Sequence, residues 1–230
     1  MRRTRQEPGG RATRGLSIAE LLAGTALTLM TVGTVFTVQQ AQVKAFAVQS
    51  TYAQSQTVTR TVIDLMSREA RMAGYNPTYP PGALTITNAA SGCPNIQEGV
   101  LVATPNKFRF QEDLNADGAI NIAGEDITYE LVSGDILRTD AVGAAPVVLA
   151  DHVPTTGLVF RYFNGSNPPV ELVPGGNPAA LTVCQRAAVG KVRVTIEANL
   201  PNPNPKLAST PVKSIASTEI AIRNRSLTNF

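Results

Sequence analysis

One histidine, two cysteines and no tryptophan in 230 residues remove most of the chemistry a catalyst would draw on. His152 stands alone in "ADHVPTT", and no HExxH, GxSxG, GxGxxG or Walker-type loop occurs in the chain. The residues therefore point to neither an enzyme nor a required cofactor. Cys93 and Cys184 lack a CxxC neighbour, which argues against a zinc or redox motif. In an exported domain such a pair can close a disulfide, and a loop of this length would contribute roughly 4–5 kcal/mol in the chain-entropy model. Charge is also scarce, at 16% of residues, and its one concentration lies at the start: Arg2, Arg3, Arg5, Arg11 and Arg14 face only Glu7 within residues 1–15. With a net charge of +3 overall, the remainder is slightly acidic. That balance argues against nucleic acid as the main partner of the folded part, because counterion release needs a basic surface.

The chain does contain a long uncharged run. Leu21 to Val43 holds 23 residues without a charge, rich in Leu, Ala, Val, Thr and Met. Such a length can span a bilayer core, and the basic head reads as a signal that keeps this end in the cytoplasm. A cleaved secretory peptide would have a shorter apolar region, about 7–15 residues. Glu20 stands at the edge of the run. An ionisable group inside a membrane segment costs on the order of 2.5–3.5 kcal/mol on insertion scales unless something pairs with it. Glu20 calls for a cation.

The stretch Arg14-Gly15-Leu16-Ser17-Ile18-Ala19-Glu20-Leu21-Leu22 resembles the leader junction of type IV prepilins and type II secretion pseudopilins. That pattern is a basic leader ending in Gly, then an apolar stretch with Glu fifth after the cut. Leu16 stands where Phe is commonest and Ala19 where Ile or Val is usual. The resemblance implies cleavage between Gly15 and Leu16 by a prepilin peptidase, N-methylation of Leu16, and a pairing of Glu20 with the terminal amine of a neighbouring subunit. A carboxylate in a low-dielectric helix bundle is tolerable when an ammonium lies close by, and the pair then sets axial register.

Beyond the run, Phe46, Tyr52, Val58, Val62, Leu65, Met66 and Met72 are spaced as one apolar stripe, so one helix is expected from about Leu16 to Ala73, with Gly74 as its stop. After residue 75 the runs 107–111, 126–132, 135–140, 157–163, 191–200 and 217–224 alternate apolar and polar residues as antiparallel strands do. Ser133-Gly134 fits a tight hairpin turn. The expected class is α+β: a long N-terminal helix, membrane-spanning in its first half, packed on an antiparallel β-sheet in a pilin-like arrangement. Four segments follow: a cleaved basic leader (1–15), a transmembrane and assembly half-helix (16–43), an amphipathic half-helix (44–74) and a β-rich globular domain (75–230). "IDLMSREARMAGY" and the closing "TEIAIRNRSL" further resemble PilW-type minor pilins and J-type pseudopilins.

The loop "EDLNADGAINIAGED" carries Asp113, Asn115, Asp117, Gly118 and Asn121 at the alternate spacing of an EF-hand-like calcium loop, with Ala119 offering a carbonyl. The twelfth position is Gly124, and the acid arrives late as Glu125. Structural calcium on Asp113, Asn115, Asp117, Ala119, Asn121 and Glu125 and an Asx-rich turn that caps its own backbone both fit this pattern. Asn164-Gly165-Ser166 matches a glycosylation sequon formally.

By resemblance the chain is expected to be a PilW-like minor pilin serving pilus assembly or initiation, for adhesion, twitching or DNA uptake. A J-type pseudopilin of type II secretion is the close alternative, and a membrane-tethered ligand-binding domain that never assembles is the other. The implied partners are prepilin peptidase, other minor and major pilins or pseudopilins, and the bacterial inner membrane. The globular domain is expected in the periplasm or outside the cell, in a pilus or pseudopilus once assembled.

Overall fold

The computed structural model describes residues 15, 17–76, 86–87, 96–97, 99–143, 145–203 and 210–222. Most of the leader, Leu16, Cys93, the Pro80-Pro81 pair and the end of "TEIAIRNRSL" lie outside those residues. The chain divides into two units, one through Phe46 and one from Ala47 onward.

In the first unit the backbone is helical. The helix α1 spans Ile18–Met72, and its first part is long and apolar enough to cross a membrane by length and composition, with none of the most apolar window buried. Leu21, Leu22, Leu27, Leu29, Met30, Val32, Val35 and Phe36 are all exposed.

In the second unit α1 buries Ser55, Thr59, Val62, Ile63, Met66 and Ala70, a spacing of three and four residues that defines one face. The stripe expected from Phe46 and Tyr52 begins later than the apolar spacing implied. Both of those aromatics are exposed, and the face opens instead on Ser55 and Thr59, each fully buried. Small hydroxyl residues let the helix lie close to the sheet. Thr59 donates to the Ser55 carbonyl at 3.0 Å, and its oxygen lies 3.4 Å from Ser214 Oγ. Beyond Met72, Gly74 adopts φ +78° and ends the helix.

The strands in order are β1 (Ile86–Thr87), β2 (Ile96–Gln97), β3 (Val100–Ala103), β4 (Lys107–Gln111), β5 (Asp126–Val132), β6 (Asp135–Asp140), β7 (Val147–Ala150), β8 (Leu158–Asn164), β9 (Glu171–Leu172), β10 (Val189–Leu200) and β11 (Val212–Ala221), with a short helix α2 (Val183–Ala188) before β10. The expected α+β class is what the chain adopts, a long N-terminal helix packed on antiparallel strands. The strands, however, form two main sheets instead of one: β3-β4-β5-β6-β7 and β11-β10-β8-β9, beside the β1-β2 pair. The β5–β6 hairpin turns at Ser133 (φ 54°) and Gly134 (φ 92°), both in the left-handed region that such two-residue turns require.

One apolar core joins the helix face to both sheets. Val62, Ile63, Met66, Ala70 and Ala73 share it with Phe108, Phe110 and Tyr129 of the first sheet and with Phe160, Tyr162, Val192, Val194 and Ile196 of the second. Phe108 has its ring centroid 5.6 Å from Phe160 and 6.0 Å from Tyr162, which fixes how the sheets meet. The helix end is tied to β4 through the Gly74 N–H, which donates to the Gln111 carbonyl at 2.8 Å. Gly99 lies directly against it: a Cβ there would fall 2.4 Å from both Gly74 N and Cα, all rigid backbone. Gly99→Ala is therefore expected to lower stability by about 2–4 kcal/mol, read as a reduced unfolding midpoint in denaturant at unchanged slope.

Candidate functional site

The start of α1 holds a reciprocal cap. Ser17 Oγ accepts from the Glu20 backbone N–H at 3.3 Å, and Glu20 Oε2 accepts from the Ser17 N–H at 3.0 Å. This is a capping box, which satisfies two of the amides that a helix start leaves without partners. Its signature, Ser-x-x-Glu ahead of an apolar run, is present in the sequence. It gives Glu20 a local role beside the intermolecular one implied by resemblance. Gly15 is exposed, and a Cβ added there meets nothing within 4 Å. Leu16 lies outside the described residues. Downstream, Ile18, Leu21, Leu22 and Leu27 are each more than half exposed. Each such side chain would gain about 1.5–3 kcal/mol from full burial against lipid or another helix.

The Asx-rich loop follows β4 and is laced by its own hydrogen bonds. Asp113, fully buried, accepts the Gly118 N–H at 3.1 Å. Asn115 Oδ1 accepts the Asp117 N–H at 3.1 Å, and Asp117 Oδ1 accepts the Ala119 N–H at 2.8 Å. Asp117 Oδ2 takes the side-chain amides of Asn115 at 2.9 Å and Asn121 at 2.6 Å. The donations from Asn121 and Ala119 hold the Asp117 carboxyl below its usual range. Glu125 is fully buried and serves as the internal anion of the loop: Oε1 accepts from Leu114 (3.0 Å) and Asn115 (3.4 Å), and Oε2 from Asn121 (2.8 Å) and Ile122 (3.0 Å). Burial pushes Glu125 up, but these four backbone donors outweigh it and bring its carboxyl below the normal value.

The oxygens expected to hold calcium do gather in this loop, but those of Glu125 are committed to amides. Among the described residues no three of His, Cys, Asp and Glu cluster closely enough to hold a metal ion. Coordination by Glu125 would require releasing four hydrogen bonds at about 0.5–1.5 kcal/mol each. The Asx-rich turn is the reading this geometry favours. Millimolar calcium is accordingly expected to leave the melting temperature unchanged. A rise that disappears in Asp117→Ala would reinstate calcium.

A polar cluster that the spacing of apolar residues does not announce sits beside this loop. Glu69, on the buried side of α1, accepts the Tyr129 hydroxyl and pairs with Arg138, whose Nη2 lies 2.9 Å from Glu69 Oε1. Burial and then the negative charge of Glu69 push the Tyr129 hydroxyl well above its ordinary range. The neighbouring Glu112 is 3% exposed, and burial, followed by the charges of Glu69 and Glu125, raises its carboxyl to about 8. The signal in the sequence was the position of Glu69, three residues past Met66 and four before Ala73, on the apolar face itself. Glu69→Ala would leave Arg138 and Tyr129 without their shared acceptor. The expected loss is about 3 kcal/mol, measured by chemical denaturation.

Cys184, in α2, is disulfide-bonded. The only other cysteine, Cys93, lies outside the described residues. His152 is at a positive-φ turn (φ 56°), with its side chain 52% exposed and 3.2 Å from Asp151, as a surface residue would be.

No family model and no curated protein matches the chain. Among solved structures the chain is similar to a type IV-like pilin from Thermus thermophilus, at 11% identity and a TM-score of 0.39, over 73% of this chain and 96% of that one. Identity and score at that level leave the assignment to the residues of this chain.

Proposed function

We propose that the chain is a membrane-inserted assembly subunit of the type IV filament superfamily, specifically a PilW-like minor pilin. The observation that carries this reading is the start of α1. A Gly15 junction and a capped acid, Glu20, are followed by a helix whose apolar surface is exposed along its first half. A lone anchor needs only the apolar surface. A subunit that docks its helix among others also needs an element that sets register, and an acid at the helix start supplies it once a neighbour offers an ammonium.

In this reading prepilin peptidase removes residues 1–15 in the inner membrane and methylates Leu16. Charge-free Leu21–Val43 holds the subunit in the bilayer until it joins other minor and major pilins, and the β-rich domain is carried outside the cytoplasm. The role is structural. Membrane-fraction mass spectrometry tests it: a mature chain beginning at methylated Leu16 is expected, whereas an intact chain beginning at Met1 would leave only a tethered domain.

A further inference from the structure

Asn164 closes β8 and precedes Gly165 in the one Asn-Gly pair of the sequence. Three donors converge on its side-chain oxygen: the Val170 N–H at 2.7 Å, the Ser166 hydroxyl at 2.7 Å and the Ser166 N–H at 3.4 Å. The hydroxyl has a second acceptor in the Pro168 carbonyl at 2.8 Å, so its single proton is shared between them. Asn164 Nδ2, by contrast, donates to nothing among the described residues. Asn115 and Asn121 are held the opposite way, with their amide nitrogens donating to Asp117. Gly165 is exposed, and a Cβ there would meet nothing within 4 Å, although its backbone N and Cα lie against Gly190, where an added Cβ would fall 2.8 and 2.7 Å from them.

We propose that Asn164 is a self-modification site, at which the backbone nitrogen of Gly165 displaces the side-chain amide and water then delivers a carboxylate. The Gly165 nitrogen, having lost its proton to solvent base, forms a bond to Asn164 Cγ. Negative charge collects on Oδ1 in the tetrahedral intermediate, Nδ2 takes a proton from water, and the Cγ–Nδ2 bond breaks to release ammonia. Water opens the resulting five-membered imide at either carbonyl, giving aspartate or isoaspartate at position 164, with no change in oxidation state. Donors aimed at the place where charge develops accelerate such a step. As that charge grows, Oδ1 becomes a better acceptor than the Pro168 carbonyl and captures the shared hydroxyl proton. With no acceptor for Nδ2 among the described residues, nothing there restrains the leaving group. The same three donors suit a carboxylate better than an amide, so the aspartate product is held where it forms. Nearby cations are already engaged: Arg161 with Glu171, and Lys191 and Arg193 with Glu219. The product therefore adds an uncompensated negative charge at this edge of the sheet.

The test is peptide mapping of the purified full-length chain in detergent, aged at several pH values. The Asn164 peptide is expected to gain the mass of amide-to-acid exchange and to split into aspartyl and isoaspartyl forms, faster as pH rises, while the Asn115 and Asn121 peptides lag. Ser166→Ala is expected to slow the reaction on the order of tenfold by removing one donor. Asn164→Asp is expected to melt no lower than the unmodified chain. An Asn164 peptide that stays unchanged would overturn the proposal. So would a Ser166→Ala chain that reacts as fast or faster, because the hydrogen bonds would then restrain the amide instead of activating it.

Discussion

A Gly15→Ala chain is expected to accumulate in the membrane with its basic leader attached, and to yield at least severalfold fewer chains beginning at Leu16. Folding cannot be the cause of that loss. Gly15 is exposed, precedes the first turn of α1, and has nothing within 4 Å of an added Cβ. Whatever the methyl group obstructs must belong to another molecule. A peptidase that cuts after Gly has to bring its catalytic groups against a bare backbone, and one methyl forced into such a contact costs about 1–3 kcal/mol, roughly tenfold or more in rate. Gly15→Val should be cut more slowly still. Assembly should fail together with cleavage, because the ammonium proposed to meet Glu20 exists only on a processed chain. Mature Leu16 chains at normal abundance in Gly15→Ala would remove the leader assignment and leave residues 1–43 as an ordinary anchor.

What could be read from residues alone divides along a physical line. Local signals were legible. The uncharged run and its helix, Gly74 as a stop, the Ser133-Gly134 turn and the strands at 107–111, 126–132 and 135–140 all depend on residues near one another in the chain. Elements defined by distant partners were not. Strands β3 ("VLVA") and β7 ("VVLA") are short apolar runs without alternation, and pairing with β4 and β6 makes them strands. The helix face opens at Ser55 and Thr59 and not at Phe46 and Tyr52, because close approach to the sheet, which apolar size does not reveal, decides where it begins. Ser55 and Thr59 are both buried, and β11 presents Ser214 to Thr59. The position of Glu69 on the apolar face is legible, but its partners are not, since Tyr129 and Arg138 lie about sixty to seventy residues away. The loop at 113–125 was legible as an oxygen-rich turn. That Glu125 would be spent on four amides was not, because spacing shows which side chains can face inward and not which of them the backbone claims.

The pairing of Glu20 is tested by comparing three substitutions. A capping box with Glu at its third position contributes about 1 kcal/mol, and a carboxylate in the first helical turn about 0.3–1 kcal/mol more. Together these fall short of the roughly 2.5–3.5 kcal/mol cost of an acid at the centre of a membrane helix, the position Glu20 approaches as its helix docks among others. A positive partner at 4 Å contributes about 4 kcal/mol even at an effective dielectric near 20. The local cap thus explains the conformation of Glu20 and leaves its charge to be met from outside the chain. Glutamine separates the two contributions, since it can reach back to the Ser17 amide as glutamate does but carries no charge. Glu20→Gln and Glu20→Ala are therefore both expected to be cleaved normally and to be absent from filaments, by tenfold or more. Ser17→Ala, which removes half the cap and spares the charge, should still assemble. If Glu20→Gln assembled like the parent chain while Ser17→Ala did not, the acid would be a helix cap and nothing else, and register between subunits would have to come from the apolar surface alone.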